Sequence, residues 1–130
     1  MPARQMNLLR GALFTLVMAC VVLTSSGRAQ IPAGDGKALF EKRCGGCHDL
    51  KREREGPRLG GVYGRSAGSV ASFPYSEALK NSRITWNAET LDRWLSDPES
   101  VVPGNDMAFH VDKSEERREI IAYLKRSSAK

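Results

Sequence analysis

One short motif restricts the possible folds of this chain more than any other feature: Cys44-Gly45-Gly46-Cys47-His48. On a helical turn, positions i, i+3 and i+4 share one face, so two thiols and an imidazole would lie together. This is the attachment signal of a c-type haem, in which the thiols bind the vinyl groups as thioethers and the imidazole ligates the iron. The two glycines leave room for the porphyrin near the backbone. The motif therefore predicts one haem c, held covalently through Cys44 and Cys47, with His48 as a metal ligand.

Two other chemistries use a similar spacing and remain alternatives. A thioredoxin-like dithiol usually lies in a βαβ setting and opens a helix, whereas this motif closes a predicted helix without a βαβ pattern around it. A structural zinc ion takes four ligands, and beyond residue 29 only His110 adds to the cysteine and histidine ligands of the motif. The chain's three cysteines are also too few for a disulfide-stapled scaffold. The haem interpretation is therefore favoured.

The hydrophobic pattern predicts three helices. One begins at Asp35, a good N-cap residue, and runs into the motif. A second runs from Asn87 to about Ser96 and is ended by Pro98. A third begins near Asp112, where Asp-Lys-Ser-Glu resembles a capping box. Apolar residues recur at helical spacing in all three: Leu39, Phe40, Leu91, Trp94, Leu95, Ile120, Ile121, Tyr123 and Leu124.

Residues 49–85 show no sustained hydrophobic pattern. They are rich in Gly and turn residues, so we expect loops there and one short helix around Ser76–Lys80. Loops of this length are uncommon in a compact domain. We therefore expect something other than the chain's own side chains to fill the centre of the domain.

Residues 1–29 have the order of a secretory signal peptide. A basic start precedes the uncharged, mostly apolar residues 11–23, and small residues then predict cleavage after Ala29. The apolar run is shorter than the ~20 residues that span a bilayer, so a retained membrane anchor is the weaker alternative. We expect residues 30–130 to form one domain in the periplasm, without membrane insertion after cleavage.

The net charge argues against a nucleic-acid partner. The chain has 20 Lys and Arg against 15 Asp and Glu, and residues 1–29 hold three of the arginines and no acid. The remaining 17 basic and 15 acidic residues leave a net charge of +2, whereas nucleic-acid-binding domains usually show a strong basic excess on one face. We expect a monomer that binds no nucleic acid.

A low-spin haem iron takes a second axial ligand, for which residues 30–130 offer two candidates. Met107 is the only thioether there, and His110 is the only imidazole outside the motif. Met107 follows Pro103-Gly104, a turn suited to presenting a side chain inward. A thioether is an established axial ligand of such haems, so Met107 is favoured, with His110 or an open site as alternatives.

From Asp35 to Lys125 the chain resembles mitochondrial cytochrome c and the small bacterial class I cytochromes c. The matching segments are CGGCH, GPRLGGVYGR, ITWNAETLDRWL, VPGNDMAF and IIAYLKR, in that order. The resemblance implies an all-α, class I cytochrome c fold of helices and long loops around one covalent haem. It also implies a one-electron carrier of a respiratory or dehydrogenase pathway. Its redox partner proteins would be a dehydrogenase or cytochrome complex as donor and an oxidase or reductase as acceptor.

The resemblance also implies roles for individual residues. The Pro57 carbonyl would accept the second N–H of His48 and so orient that ligand. Arg65, Tyr75 and Trp86 would hydrogen-bond or neutralise the haem propionates. The first helix would pack against the last through four residues: Gly36, Phe40, Ile120 and Tyr123.

Two departures from the family pattern concern the haem pocket. Leu79 stands where the family usually has an Asn near an internal water, and a drier pocket disfavours the extra charge of ferric iron. Trp94 stands where the family has a Tyr whose hydroxyl reaches the methionine sulfur. An indole N–H can also donate, but a sulfur released from that bond donates better to ferric iron. The sequence leaves the net change in reduction potential open.

A third departure concerns charge around the haem crevice, where mitochondrial relatives place lysines that steer them to acidic partners. Mainly Arg43 and Lys113 remain of that ring, and residues 97–112 contain no Lys or Arg and four acids: Asp97, Glu99, Asp106 and Asp112. Rim charges act mostly on association rates and their salt dependence. The pattern favours a mixed or acidic docking face, and the alternative is a solvated loop without a role in docking.

Two other functions would share the haem motif. A haem enzyme or ligand sensor requires an open or labile sixth site, and Met107 with its loop is the feature that argues against one. A cytochrome subunit of a larger oxidoreductase complex would carry every motif described above. Beyond the haem, the sequence shows no nucleophile and base in combination, so we do not expect an enzyme.

Overall fold

The computed structural model describes residues 35–129, which form five helices joined by loops. Their bounds are Asp35–Arg43 (α1), Glu77–Lys80 (α2), Ala88–Ser96 (α3), Pro98–Val101 (α4) and Ser114–Ser128 (α5). These residues contain no strand, only an isolated bridge between Ser66 and Thr85. The prediction of an all-α fold is therefore confirmed. The predicted signal peptide, residues 1–29, lies outside the described residues, and no helix within 35–129 is long and apolar enough to cross a membrane.

Side-chain caps set the start of the helices in the middle of the chain. The Asn87 side chain accepts from Thr90 N at 2.9 Å, and the Thr90 hydroxyl accepts from Asn87 N at 2.8 Å, so a full capping box opens α3. Asp97 accepts from Ser100 N at 3.2 Å and caps α4. Pro98 ends α3 as predicted, but it also occupies the first turn of α4, a helix that the sequence pattern did not predict.

The start of α5 differs from the capping box that the sequence predicted there. Lys113 occupies the N-cap position and makes no side-chain capping bond, so the predicted capping box near Asp112 is wrong. Instead, Arg117 reaches back from the first turns of α5: its Nη1 donates to the carbonyls of Val111 and Asp112 at 2.9 Å each. Its Nε donates to Asp92 of α3 at 2.8 Å. The ion pair between Arg117 and Asp92 therefore stabilises the start of α5. At α1 the structure differs less from the prediction: Asp35 is the first helical residue, one position after the cap.

The packing of α1 on α5 is as expected. Gly36 lies against Tyr123 and the backbone of Glu119, which brings the two helices close together. The rings of Phe40 and Tyr123 have centroids 5.5 Å apart, and Ile120 is fully buried in the same core. α5 also packs against α3, and α3 packs against α4. α5 thus contacts both the helix that leads into the motif and α3, the helix on which α4 packs just before the Met107 loop.

Residues 49–85 form loops that are fastened to one another by backbone hydrogen bonds. Gly60 N donates to Leu50 O at 2.8 Å, and Ala67 N donates to Ile84 O at 2.8 Å. The loops also bury apolar side chains: Val62, Ala67 and Val70. The short helix α2 lies within this stretch, as predicted, with Ser76 as its N-cap. These loops form part of the wall around the site.

Candidate functional site

A cavity of about 400 Å³ lies among the core side chains. Cys44, Cys47 and His48 line it together with Met107. Most of the remaining wall is apolar, with contributions from Leu59, Val62, Leu91, Leu95, Ile120 and Leu124. This volume is in the range of pockets that hold cofactor-sized ligands. The centre of the domain is therefore not filled by its own side chains, as the long loops suggested.

The backbone after α1 brings the motif side chains to the cavity. Cys44 N donates to Phe40 O at 2.8 Å, which continues the helical pattern past Arg43. Cys47 N and His48 N both donate to Cys44 O, at 3.1 and 2.8 Å. These three- and four-residue turns give positions 44, 47 and 48 a shared face. The arrangement is the one that the spacing of the motif predicted.

His48 is oriented by the loop that follows it. Its Nδ1 lies 2.8 Å from the Pro57 carbonyl oxygen. A carbonyl only accepts, so Nδ1 carries the proton and Nε2 keeps a free lone pair. Burial lowers the pKa of the His48 imidazole, and the hydrogen bond to Pro57 opposes this only in part. The ring is therefore neutral at pH 7, the form that ligates a metal.

Gly56 is a residue of the site that sequence reasoning missed. A Cβ at this position would collide with the ring of His48. Its amide also donates to Cys47 O at 2.9 Å, which closes the loop between the motif and Pro57. The residue must therefore be glycine for the ring to lie here. The only signal in the sequence is the Gly-Pro pair shortly after the motif.

The two motif thiols are free, Cys44 buried and Cys47 exposed. Burial raises the pKa of the Cys44 thiol to about 11. Catalytic dithiols depend on a lowered thiol pKa, so the structure disfavours the thioredoxin-like alternative. It also disfavours zinc, because residues 35–129 contain no group of three or more His, Cys, Asp or Glu side chains that could hold a metal ion.

The two candidates for the sixth ligand occupy different surroundings. Met107 lines the cavity, and its sulfur accepts a hydrogen bond from Trp94 Nε1 at 3.2 Å. His110 is not part of the cavity wall: its side chain is 56% exposed and lies 3.2 Å from an oxygen of Asp112. Of the two, the structure brings only Met107 together with His48.

Arg65, Tyr75 and Trp86 all line the same cavity. The Arg65 guanidinium donates to the carbonyls of Gly60 and Arg58, at 3.1 and 2.9 Å, and burial lowers its pKa. Burial raises the pKa of the Tyr75 hydroxyl, with the Arg65 charge acting in the opposite direction. Trp86 is buried, and its ring meets that of Trp94 edge to face at 5.3 Å. A cation and two side chains with hydrogen-bond donors therefore line the same, mostly apolar cavity.

The donor set and the cavity together fit a haem c. Two free thiols and a neutral imidazole share one face, a thioether lines the same space, and a cation with polar donors suits the propionates. Asn105 is a further member of the wall that the sequence did not single out. Its amide oxygen accepts from Met107 N at 2.7 Å.

Comparison with known proteins agrees with this geometry. A family model described as Cytochrome c matches residues 33–128. The chain is 42% identical over 108 residues to cytochrome c of Chlamydomonas reinhardtii, covering 78% of this chain and 96% of that protein. It is also 42% identical over 108 residues to cytochrome c 2.1 of Caenorhabditis elegans, covering 78% and 97%. Among solved structures, cytochrome cH from Methylobacterium extorquens superimposes with a TM-score of 0.68 at 38% identity, covering 72% of this chain and 97% of that one.

Proposed function

The chain belongs to the cytochrome c family, and we propose that it is a one-electron carrier with His48 and Met107 as the axial ligands of its haem. Its cofactor is one haem c, attached through Cys44 and Cys47. The observation that supports the ligand assignment most directly is that His48 and Met107 line one cavity while His110 lies outside it. We propose that the protein carries electrons between redox proteins and makes no bonds itself.

The bound haem supplies the redox chemistry by taking up and releasing one electron. The protein holds the ligands in place: Pro57 keeps the His48 proton on Nδ1 and so presents Nε2. Trp94 holds the Met107 sulfur. The wall of the cavity is mostly apolar, and Arg65, with Tyr75 and Trp86, is proposed to face the propionates. Ligands that are held in this way need to move little when the charge of the site changes.

The hydrogen bond from Trp94 to Met107 affects the reduction potential of the haem. The sequence left open whether the departures from the family pattern raise or lower that potential. Because the indole N–H donates to the Met107 sulfur, that sulfur has less electron density to offer to ferric iron. The apolar Leu79 also lines the cavity and disfavours the extra ferric charge. Both effects favour the ferrous state. We therefore propose that the two residues act in the same direction: the potential is higher than it would be with a sulfur free of hydrogen bonds and a polar residue at position 79.

Haem extraction and ligand binding test the proposal. We expect haem to remain with the polypeptide after denaturation and acid–acetone extraction, because thioether bonds survive that treatment. The intact ferrous protein should titrate as a reversible one-electron couple and bind carbon monoxide poorly, because Met107 occupies the sixth position. Loss of haem on extraction would contradict the thioether attachment. Rapid carbon monoxide binding by the intact protein would favour the ligand-sensor alternative.

Location rests on residues 1–29, which the structure does not describe. Their basic start, apolar stretch and small residues before position 30 support export. We propose that cleavage after Ala29 releases residues 30–130 as a single periplasmic domain. The family match begins at residue 33, just beyond that predicted cleavage site.

The proposed docking face lies where the cavity meets the surface. Phe109 is both part of the cavity wall and 42% exposed, and it is the one exposed large hydrophobic residue within 35–129. The two cations that remain of the family's basic ring, Arg43 and Lys113, both face Glu116, with N–O distances of 2.8 and 3.9 Å. Asp106 and Asp112 stay exposed. We propose a docking face with an apolar centre and acidic flanks, suited to a partner with basic or apolar contacts.

Small charged oxidants test the charge of this face. The double variant Asp106→Lys, Asp112→Lys should slow oxidation of the ferrous protein by a cationic cobalt(III) phenanthroline complex and speed oxidation by anionic ferricyanide. We expect the ratio of the two rates to change roughly tenfold at low salt and to return towards the wild-type ratio at high salt. The matched double variant Asp106→Asn, Asp112→Asn should change the logarithm of this rate ratio by about half as much, because it removes the two negative charges without adding positive ones. An unchanged ratio at low salt would mean that these acids have no role in docking.

A further inference from the structure

The segment that carries Met107 is held by one side chain of α4. Glu99 accepts from Gly104 N, at 3.0 Å to Oε1 and 3.2 Å to Oε2. Its Oε2 also accepts from Asn105 Nδ2 at 3.2 Å. From the first turn of α4, this carboxylate therefore binds two consecutive residues of the loop that follows the helix. Hydrogen bonds to an ionised acceptor are among the stronger ones in proteins.

The turn between Glu99 and Met107 suits this arrangement. Asn105 N donates to Val102 O at 3.2 Å, which places Pro103 and Gly104 at the two central positions of a β-turn. Gly104 has a φ of +80°, a conformation that favours glycine. The Gly104 N–H is then available to Glu99 rather than to the turn itself.

Asn105 connects the carboxylate to Met107. Its Nδ2 donates to Glu99 and to Val102 O, the latter at 2.9 Å, and its Oδ1 accepts from Met107 N at 2.7 Å. A carboxylate and a carbonyl oxygen only accept hydrogen bonds, so Glu99 and the Val102 carbonyl together fix which end of the Asn105 amide faces Met107. A flipped amide would set an oxygen against the carboxylate and an NH₂ group against an N–H. Glu99 thereby helps to position the acceptor of the Met107 backbone N–H.

Met107 is consequently held at both ends. Asn105 binds its backbone N–H, and the buried Trp94 of α3 binds its sulfur. Because α3 packs against α4, the two attachments share one support. The side chain between them lines the cavity. The ligand is therefore placed by contacts of the chain itself.

We propose that Glu99 and Asn105 are positioning residues, whose hydrogen bonds hold Met107 ready to ligate the haem iron and restrain the loop from opening. The inference rests on the proposed role of Met107 as axial ligand. It also separates Glu99 from Asp106 and Asp112, the two acids of the proposed docking face, because the Glu99 carboxylate binds Gly104 and Asn105. An external ligand can bind the iron only after Met107 has moved away, so the rate of that binding measures the restraint.

Cyanide binding to the ferric holoprotein, followed at neutral pH, is the first measurement. Glu99→Ala should speed it by about fivefold, since hydrogen bonds to an exposed charged group contribute modestly. Asn105→Ala removes the bond to Met107 directly and should speed binding by about tenfold. Glu99→Gln should bind cyanide at a rate between those of Glu99→Ala and the wild type, because an amide oxygen can still accept from Gly104 N.

Glu89→Ala is the matched control. Glu89 occupies the first turn of α3 as Glu99 occupies that of α4, it is exposed, and its side chain makes no hydrogen bond within residues 35–129. The control removes the same charge at a comparable helix position. It should leave cyanide binding at the wild-type rate.

A paired exchange distinguishes positioning from general loss of stability. Asn105→Asp alone sets two carboxylates against each other and should speed cyanide binding. Adding Glu99→Gln restores a donor and an acceptor between the two side chains and should slow the binding part of the way back, because the bond to the Val102 carbonyl stays lost. Hydrogen exchange provides a second readout: the Gly104 and Met107 amides of the holoprotein should exchange faster in Glu99→Ala than in Glu89→Ala.

Two results would overturn the proposal. Wild-type cyanide rates in both Glu99→Ala and Asn105→Ala would do so. Faster amide exchange with unchanged cyanide rates would mean that these residues order the loop without controlling ligation. A Met107→Ala variant identifies a different failure: if it too binds cyanide at the wild-type rate, Met107 is not the ligand, and the proposed function fails rather than the positioning alone.

Discussion

Met107→Ala is expected to open the sixth coordination position of the haem. The ferrous variant should bind carbon monoxide readily, and the ferric variant should bind cyanide without first displacing a protein ligand. Because a thioether favours ferrous iron, its loss should lower the reduction potential by on the order of 0.1–0.2 V, within the roughly 0.8 V over which axial ligation sets haem potentials. Absorbance spectra, ligand titration and potentiometry measure these effects.

His110→Ala is the matched control for that variant. His110 lies outside the cavity wall with its side chain mostly exposed, so its removal should leave the spectrum of the ferric protein at neutral pH unchanged. A change of axial ligation in His110→Ala, with none in Met107→Ala, would assign the ligand to His110 instead.

A chain without haem is expected to stay largely unfolded. Many of the residues that form the core also line the cavity, including Leu91, Ile120 and Leu124. At about 24 cal/mol per Å³ of empty volume, a void of about 400 Å³ would cost about 10 kcal/mol. The whole free energy of unfolding of a small domain is about 5–15 kcal/mol. An empty cavity of this size therefore removes most or all of the stability.

The double variant Cys44→Ala, Cys47→Ala measures this dependence. It cannot form thioethers, so the yield of holoprotein should fall sharply. The polypeptide without haem should show weak helical circular dichroism and no cooperative thermal transition, whereas the wild-type holoprotein should show one. A cooperative transition in the haem-free chain would contradict the prediction, because it would mean that the side chains can close the cavity by themselves.

Local sequence determined much of the helical structure. The spacing of Cys44, Cys47 and His48 predicted their shared face because those three positions lie within one turn. The capped start of α3 was equally local, since Asn87 and Thr90 are three residues apart. α4 was missed because four residues are too few to show a period. The α5 start was misassigned because Arg117 and Asp92, far apart in sequence, secure it.

At the site, too, the sequence predicted the local features but not those that depend on contacts between distant parts of the chain. The sequence identified the haem motif and favoured Met107 over His110 as the sixth ligand, but residue types and spacing could not show where either side chain lies. The path of the loop after α4 brings Met107 to the cavity and leaves His110 outside the cavity wall. Gly56 was missed for a similar reason, because only the folded loop brings it beneath the His48 ring.

By itself, then, the sequence determined the cofactor, its attachment and most helix positions, since each is encoded within a turn or two of chain. Only the tertiary structure decided how Met107 is held. The Trp94 N–H meets a sulfur 13 positions away because α3 and the loop pack together. In the sequence Glu99 is one of four acids assigned to a docking face or a solvated loop, yet its carboxylate binds the loop that carries Met107. A hydrogen bond requires a distance and a direction, and between residues on different elements both are set by packing rather than by residue type.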